Sequence, residues 1–186
     1  MSFRRVWARF SGAARTLTAT PGAREAWHAG RRWYHVWLLT VDDPRVTARV
    51  DTVRRALGDA VVPFCAEAPH VTVWVHGFEA PRAPHPAEGM RVPIVVGGAN
   101  SFTSGPFLEV RADALPALRA GFRGREERWA AYRPHLTVGL YARSGPAPEV
   151  VARLRAHRRL APIHAEGRFL AARIDAWDAT GAISLG

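Results

Sequence analysis

The sequence predicts an α+β fold whose two halves share one organisation. Three observations carry this. The order strand, helix, then a strand bearing Pro-His-apolar-Thr-Val occurs twice, over 33–76 and 107–141. The strand segments are short apolar runs rich in β-branched and aromatic residues, bounded by Gly, Pro, Asn and Ser. Between them lie amphipathic segments of helical period with capping residues. A chain of 186 residues with 48% hydrophobic content and 7 Trp is long and apolar enough for one domain with a real core.

Residues 1–30 stand apart. Phe3, Val6, Trp7, Phe10, Ala14 and Leu17 recur at helical spacing, with Arg4, Arg5, Arg9 and Arg15 mostly on other sides. Such a basic amphipathic helix suits contact with RNA or a membrane surface, and its Arg-rich, acid-poor character is also that of a transit peptide. The expectation is a basic extension packed on its own domain, with 31–186 forming that single domain. "MSFRRVWARF" carries charges where a signal peptide is apolar, and no apolar run is long enough to span a bilayer.

"RRWYHVWLLTV" (31–41) reads as a buried strand. The following 42–59 reads as a helix: Asp42 or Asp43 caps it, Pro44 suits its first turn, Val46, Val50, Val53 and Leu57 form its stripe, and Gly58 ends it. The first motif, "PHVTVWVH" (69–76), is a strand. A proline-dense loop spans 79–90. "RVPIVVGGANSFTSGPFLEVRA" reads as two strands broken by a Gly/Asn/Ser turn. A short helix at about 113–121 precedes the second motif, "PHLTVGLY" (134–141). A helix over 148–159 and two closing strands complete the chain.

The formal net charge is +10, and all 26 cationic residues are Arg. The planar guanidinium suits phosphate oxygens. A GC-rich coding bias accounts for Arg over Lys, but not for the excess of positive charge, which suits a polyanionic partner such as RNA. A single cysteine, Cys65, allows no internal disulfide, and a cytoplasmic protein is the natural reading.

On a strand, side chains alternate faces. His70, Thr72, Trp74 and His76 are therefore expected on one face and Val71, Val73 and Val75 on the other. In the second motif His135, Thr137, Gly139 and Tyr141 oppose Leu136, Val138 and Leu140. If the two halves face each other, two His-Thr pairs meet across one cleft. Phosphoryl displacement is in line, with the nucleophile and the leaving oxygen at opposite apices. One histidine serves as base and the other as acid, and the threonine hydroxyls donate to the non-bridging oxygens. Two strand histidines with no shared site are the plain alternative; the repetition of Pro, His, Thr and Val weighs against it. Neither a metal-binding spacing nor a Gly-x-Ser-x-Gly elbow occurs.

These two motifs resemble the paired His-x-Thr/Ser signatures of the 2H phosphoesterase superfamily. Over about 31–186, including "NSFTSGPFLEV" (100–110) and the closing strands, the chain looks like the branch of 2′-5′ RNA ligase-like RNA 2′,3′-cyclic phosphodiesterases. The resemblance implies a bilobal fold, with two antiparallel-sheet lobes related by a pseudo-two-fold, helices outside and the active cleft between. It implies hydrolysis of 2′,3′-cyclic phosphate ends of RNA or nucleotides to 2′-phosphates, with His70 and His135 catalytic, Thr72 and Thr137 on the phosphate, and no metal or cofactor. Ligation at a 2′-5′ linkage is the reverse of cleavage there and could accompany it. Many relatives carry a basic residue soon after the second motif; here it comes late, at Arg143.

Further candidates for substrate contact are Trp74 and Tyr141, suited equally to stacking a base and to ordinary packing, His76 at the rim, Trp37 and Phe102, for which core packing is the ordinary role, and Arg133 just before the second motif, by default a solvated Arg. A monomer is expected. The competing class is a non-catalytic RNA- or nucleotide-binding module that has kept the pocket; such a module has no need of an acid and a base.

Overall fold

The computed structural model describes residues 2–18, 21–63, 68–122, 132–178 and 183–185, without the side chains of 21–24 and 185. Cys65 is outside these residues. The aromatic run after Arg32 forms β1 (Trp33–Thr40). Asp43 then starts α3 (Pro44–Leu57), its carboxylate accepting from the Arg45 backbone N–H at 2.8 Å. Val46, Val50, Val53 and Leu57 are its buried stripe, and Gly58, at φ +56°, ends it in a conformation other residues rarely adopt. Two shorter helices, α1 (Phe3–Ser11) and α2 (Pro21–His28), precede β1.

After α3 come β2 (Val61–Val62), β3 (His70–Gly77), β4 (Arg91–Ser101) and β5 (Pro106–Arg111). These are followed by α4 (Leu115–Ala120), β6 (His135–Thr137), β7 (Leu140–Tyr141), α5 (Ala147–Leu154), β8 (Ile163–Asp175) and β9 (Ile183–Leu185). Seven strands form one antiparallel sheet in the order β1-β3-β6-β5-β4-β8-β9. The first half of the long β8 pairs with β4 and its second half with β1, which curls the sheet into a barrel-like form. β2 and β7 make a separate small ribbon. The architecture is mixed α+β with few helices.

The alternation of apolar side chains builds one main core. Leu39, Val71, Leu108, Leu136 and Phe169 are fully buried, with the stripe of α3 and with Val150, Val151 and Leu154 of α5. Burying each such side chain contributes about 1.5–3 kcal/mol, so this face sets the register of every strand. The N-terminal helix joins the same core. Phe10 of α1 is buried and stacks on Tyr141, and the Asn100 side chain donates to the Phe3 carbonyl. No helix among the described residues is long and apolar enough to cross a membrane.

Three local expectations are corrected. The first helix stops at Ser11, so Ala14 and Leu17 fall outside it and Leu17 is 57% exposed. Gly12 caps α1, its backbone N–H bonded to the Ala8 carbonyl, and the next N–H, of Ala13, bonds that of Phe10. The Gly-Gly-Ala-Asn run continues β4 through a register shift between Val96 and Ala99, and the turn falls later, at 102–105. The second motif is not one strand: β6 ends at Thr137 and β7 leaves to pair with β2. Gly139 permits that crossing, since a Cβ there would stand 2.5 Å from the Val62 carbonyl oxygen.

The packing of α1 predicts that Phe10→Ala lowers unfolding free energy by about 3–5 kcal/mol. Leu17→Ala, at an exposed position, changes it by less than about 0.5 kcal/mol. Denaturant titration compares the two, and equal effects would place α1 outside the cooperative core.

Candidate active site

The two motifs lie on neighbouring strands. Val71 of β3 pairs antiparallel with Leu136 of β6, and both point into the core. That register sets His70 opposite Thr137 and Thr72 opposite His135, all four on the other face. Directly opposed residues bring their Cβ atoms to about 4.5–5.5 Å, and diagonal neighbours, here His70 and His135, to about 7–8 Å. His70 is mostly buried; the other three are half-buried.

Each ring is held in the same way. His70 Nδ1 lies 3.1 Å from the Ala68 carbonyl oxygen, and His135 Nδ1 lies 2.7 Å from that of Arg133. A carbonyl oxygen only accepts, so Nδ1 carries the proton in both rings and the lone pair of the neutral form sits on Nε2. The proline before each histidine explains the shared geometry. Its fixed φ, and the extended conformation it imposes on the residue before it, aim the carbonyl of residue i−2 back at the ring. Pro69 also anchors the start of β3, its carbonyl accepting from Val41 N–H at 2.8 Å.

The flanks of this block differ on its two sides. Phe102 and Phe107 stand edge-on to the His135 ring at 5.2 and 5.1 Å between centroids, and Phe102 also stacks on Phe107. Glu109 lies opposite His135 on β5, its carboxylate bound by Arg158 and by the Asn100 amide, each at 2.7 Å. Beyond His70 the register continues to Thr40 on β1 and Arg168 on β8. Arg54 of α3 donates through Nε to the Val138 carbonyl at 2.7 Å and lines, with Thr137 and Thr40, a cavity of about 390 Å³. Tyr132 donates its hydroxyl to the Thr72 carbonyl.

Trp74 and His76 are not on the face of His70. Between Thr72 and Trp74 the register with β1 shifts: Leu38 opposes Thr72, and the next residue, Trp37, opposes Trp74. Val73 is the extra residue of a bulge, and the faces exchange beyond it. Trp74 is instead buried in the main core, stacked on Phe122 with Arg119 over its ring. A second shift follows near His76, which accepts from Trp37 Nε1–H at 3.2 Å. Trp37 is itself fully buried, stacked beside Phe169 in the main core.

Tyr141 also lies away from the histidines, because the strand breaks at Val138 and Gly139. It is buried against Phe10, with its hydroxyl 2.6 Å from Ser101 Oγ, and burial raises its phenol pKa. Arg143 is exposed and pairs with Asp59 at 2.9 Å. Arg133 contributes its carbonyl to His135.

Sequence reasoning missed Arg54, Phe107 and Glu109 beside the two motifs, and Arg168 two strands away from them. Arg168 was within reach, because the alternation across "HAEGRFLA" puts His164, Glu166 and Arg168 on one exposed face. The others follow from strand order and helix docking. No group of three His, Cys, Asp or Glu able to hold a metal ion is found among the described residues.

No family model matches the chain, and no curated protein matches it. Among solved structures it is similar to TT0787 of Thermus thermophilus, with a TM-score of 0.58 and 15% sequence identity over 82% of this chain and 94% of that one. The likeness is one of fold.

The displaced His76 carries a measurable consequence. Burial first, and the charge of His35 second, hold its pKa below 6.5; burial, then Arg173, does the same for His35. The unfolded chain therefore binds more protons than the folded one as pH falls below about 6.5, and stability is lost in that direction. Urea midpoints between pH 8 and 5 should decline below about 6.5. The double variant His35→Gln, His76→Gln should show a shallower decline; an unchanged slope would show that neither ring resists protonation in the fold.

Proposed function

We propose that this chain is a metal-independent phosphodiesterase of the 2H type, acting on 2′,3′-cyclic phosphate ends of RNA or nucleotides and releasing 2′-phosphates. The observation that carries this reading is the β3–β6 register, with two His-x-Thr pairs on one face, each threonine opposite the other motif's histidine. The likeness in fold to TT0787 is compatible with it. In this reading the halves 33–76 and 107–141 are the two lobes of a pseudo-symmetric fold, with β3 and β6 meeting at its axis.

The chemistry follows from the geometry. A phosphorus atom between the diagonal histidines has one Nε2 on each side, as in-line displacement requires. His135 takes a proton from water as its oxygen bonds to phosphorus. The bond from phosphorus to the ribose 3′ oxygen breaks, and His70 gives its proton to that oxygen. The product bears a 2′-phosphate and a 3′-hydroxyl, and the two histidines have exchanged protonation states. Thr72 and Thr137 donate to the non-bridging oxygens, where charge accumulates. The carbonyl ties at Nδ1 assign the proton exchange to Nε2 in both rings. Ligation at a 2′-5′ linkage is the reverse of cleavage there and needs no added group.

Incubation with EDTA and a panel of 2′,3′-cyclic nucleotides and cyclic-ended oligonucleotides, followed by identification of the product isomer, tests the assignment. Turnover lost in EDTA and restored by one divalent ion would overturn the two-histidine mechanism. His70→Ala and His135→Ala should each lower the rate by ~10²–10⁴-fold. The double variant should be far less than multiplicatively worse, since both act on one transition state. Each single variant should lose one limb of a bell-shaped pH–rate profile. Thr72→Val and Thr137→Val should cost less. Full activity in either histidine variant would end the hypothesis, and loss of the opposite limbs would exchange the two roles.

A further inference from the structure

Next to the two histidines, on the same face of the sheet, β1, β4, β5 and β8 enclose a groove of about 1060 Å³. It begins at Thr40 and Ala68, the residues flanking His70: Thr40 pairs with His70 across the strands, and Ala68 holds its Nδ1. The register extends the row of His70 through Thr40 to Arg168, two strand spacings or about 10 Å away. Arg111, on the same face of β5, lines the far side. The geometry points to this groove as the seat of the nucleotides that precede the reacting end, and to Arg111 and Arg168 as the residues that select an oligonucleotide over a mononucleotide. The inference rests on the phosphodiesterase reading above.

The charges of the lining support this. Four arginines and four carboxylates face the groove, and two pairs are internal: Arg45 with Asp43 at 2.7 Å and Arg91 with Glu166 at 3.2 Å. Arg111 and Arg168 are exposed and have no ion pair among the described residues. Asp42 and Asp113, on the loops after β1 and β5, are the acids left over. A purely anionic polymer would gain little from a lining of balanced charge. An RNA strand carries both kinds of partner, phosphate oxygens for guanidinium and ribose hydroxyls and base N–H groups for carboxylate. The size agrees as well. Counted along the strands, the two arginines are on the order of 15 Å apart, more than the single phosphate of a mononucleotide can bridge.

The test compares kcat/KM for a tetranucleotide ending in a 2′,3′-cyclic phosphate with kcat/KM for the cyclic mononucleotide. Wild type should prefer the tetranucleotide. Arg168→Gln and Arg111→Gln should each lower that preference by about tenfold while leaving mononucleotide turnover unchanged. Each should also reduce the dependence of tetranucleotide binding on log salt by about one. A wild type indifferent to chain length, or variants that keep the full preference, would overturn the groove while the phosphodiesterase reading stands. If neither substrate is turned over, the phosphodiesterase reading fails. Fluorescence anisotropy of a labelled tetranucleotide with a 3′-hydroxyl end then decides the groove: weaker binding by both variants sustains it, and unchanged binding removes it.

Discussion

The pairing of Val71 with Leu136 is the contact on which the site depends. It aligns two three-residue stretches so that their apolar members enter the core and their histidines and threonines meet on the other side. A slip of one residue between β3 and β6 would turn one strand over relative to the other, sending its histidine into the interior and bringing a fully buried valine or leucine into water. The apolar exchange alone would cost about 1.5–3 kcal/mol, and a polar imidazole would be carried into the apolar core as well. The register is thus enforced by the hydrophobic effect, although its purpose lies on the polar face.

The surrounding elements brace this alignment from several directions. α3 supplies Arg54, whose bond to the Val138 carbonyl fixes the chain where β6 gives way to the crossing at Gly139. β5 backs β6 from the other side and brings Phe107 and Glu109 beside Thr137 and His135. The long β8 joins β4 to β1, so the strands that flank the histidines belong to a curled sheet whose interior edges are paired.

Much of this is legible in the sequence because local signals and burial agree. The helix from Pro44 to Leu57 announces its cap, stripe and stop, and the histidine and threonine positions need only strict alternation over three residues. Alternation fails where the strand stops being regular. Nothing in "VTVWVH" marks Val73 as a bulge, which arises from fitting β3 to the twisted β1, so alternation assigns Trp74 and His76 to the wrong face. Tyr141 is misplaced for a related reason: Gly139 signals a close backbone approach, but only the position of Val62 reveals which strand approaches. Arg54 and Glu109 reach the site through tertiary packing, which no spacing along the chain encodes.

The carbonyl ties of the two histidines have a consequence for how this protein can vary. Where a buried carboxylate orients an imidazole, a single codon change removes it. Here the orienting atoms belong to the main chain, at Ala68 and Arg133. Any residue able to adopt the extended conformation before proline can supply the same oxygen, so the side chains at those two positions are free to drift without releasing the rings. The heritable requirement contracts to the prolines that aim the carbonyls. Lineages can therefore diverge far around the motifs while the orientation of both histidines persists.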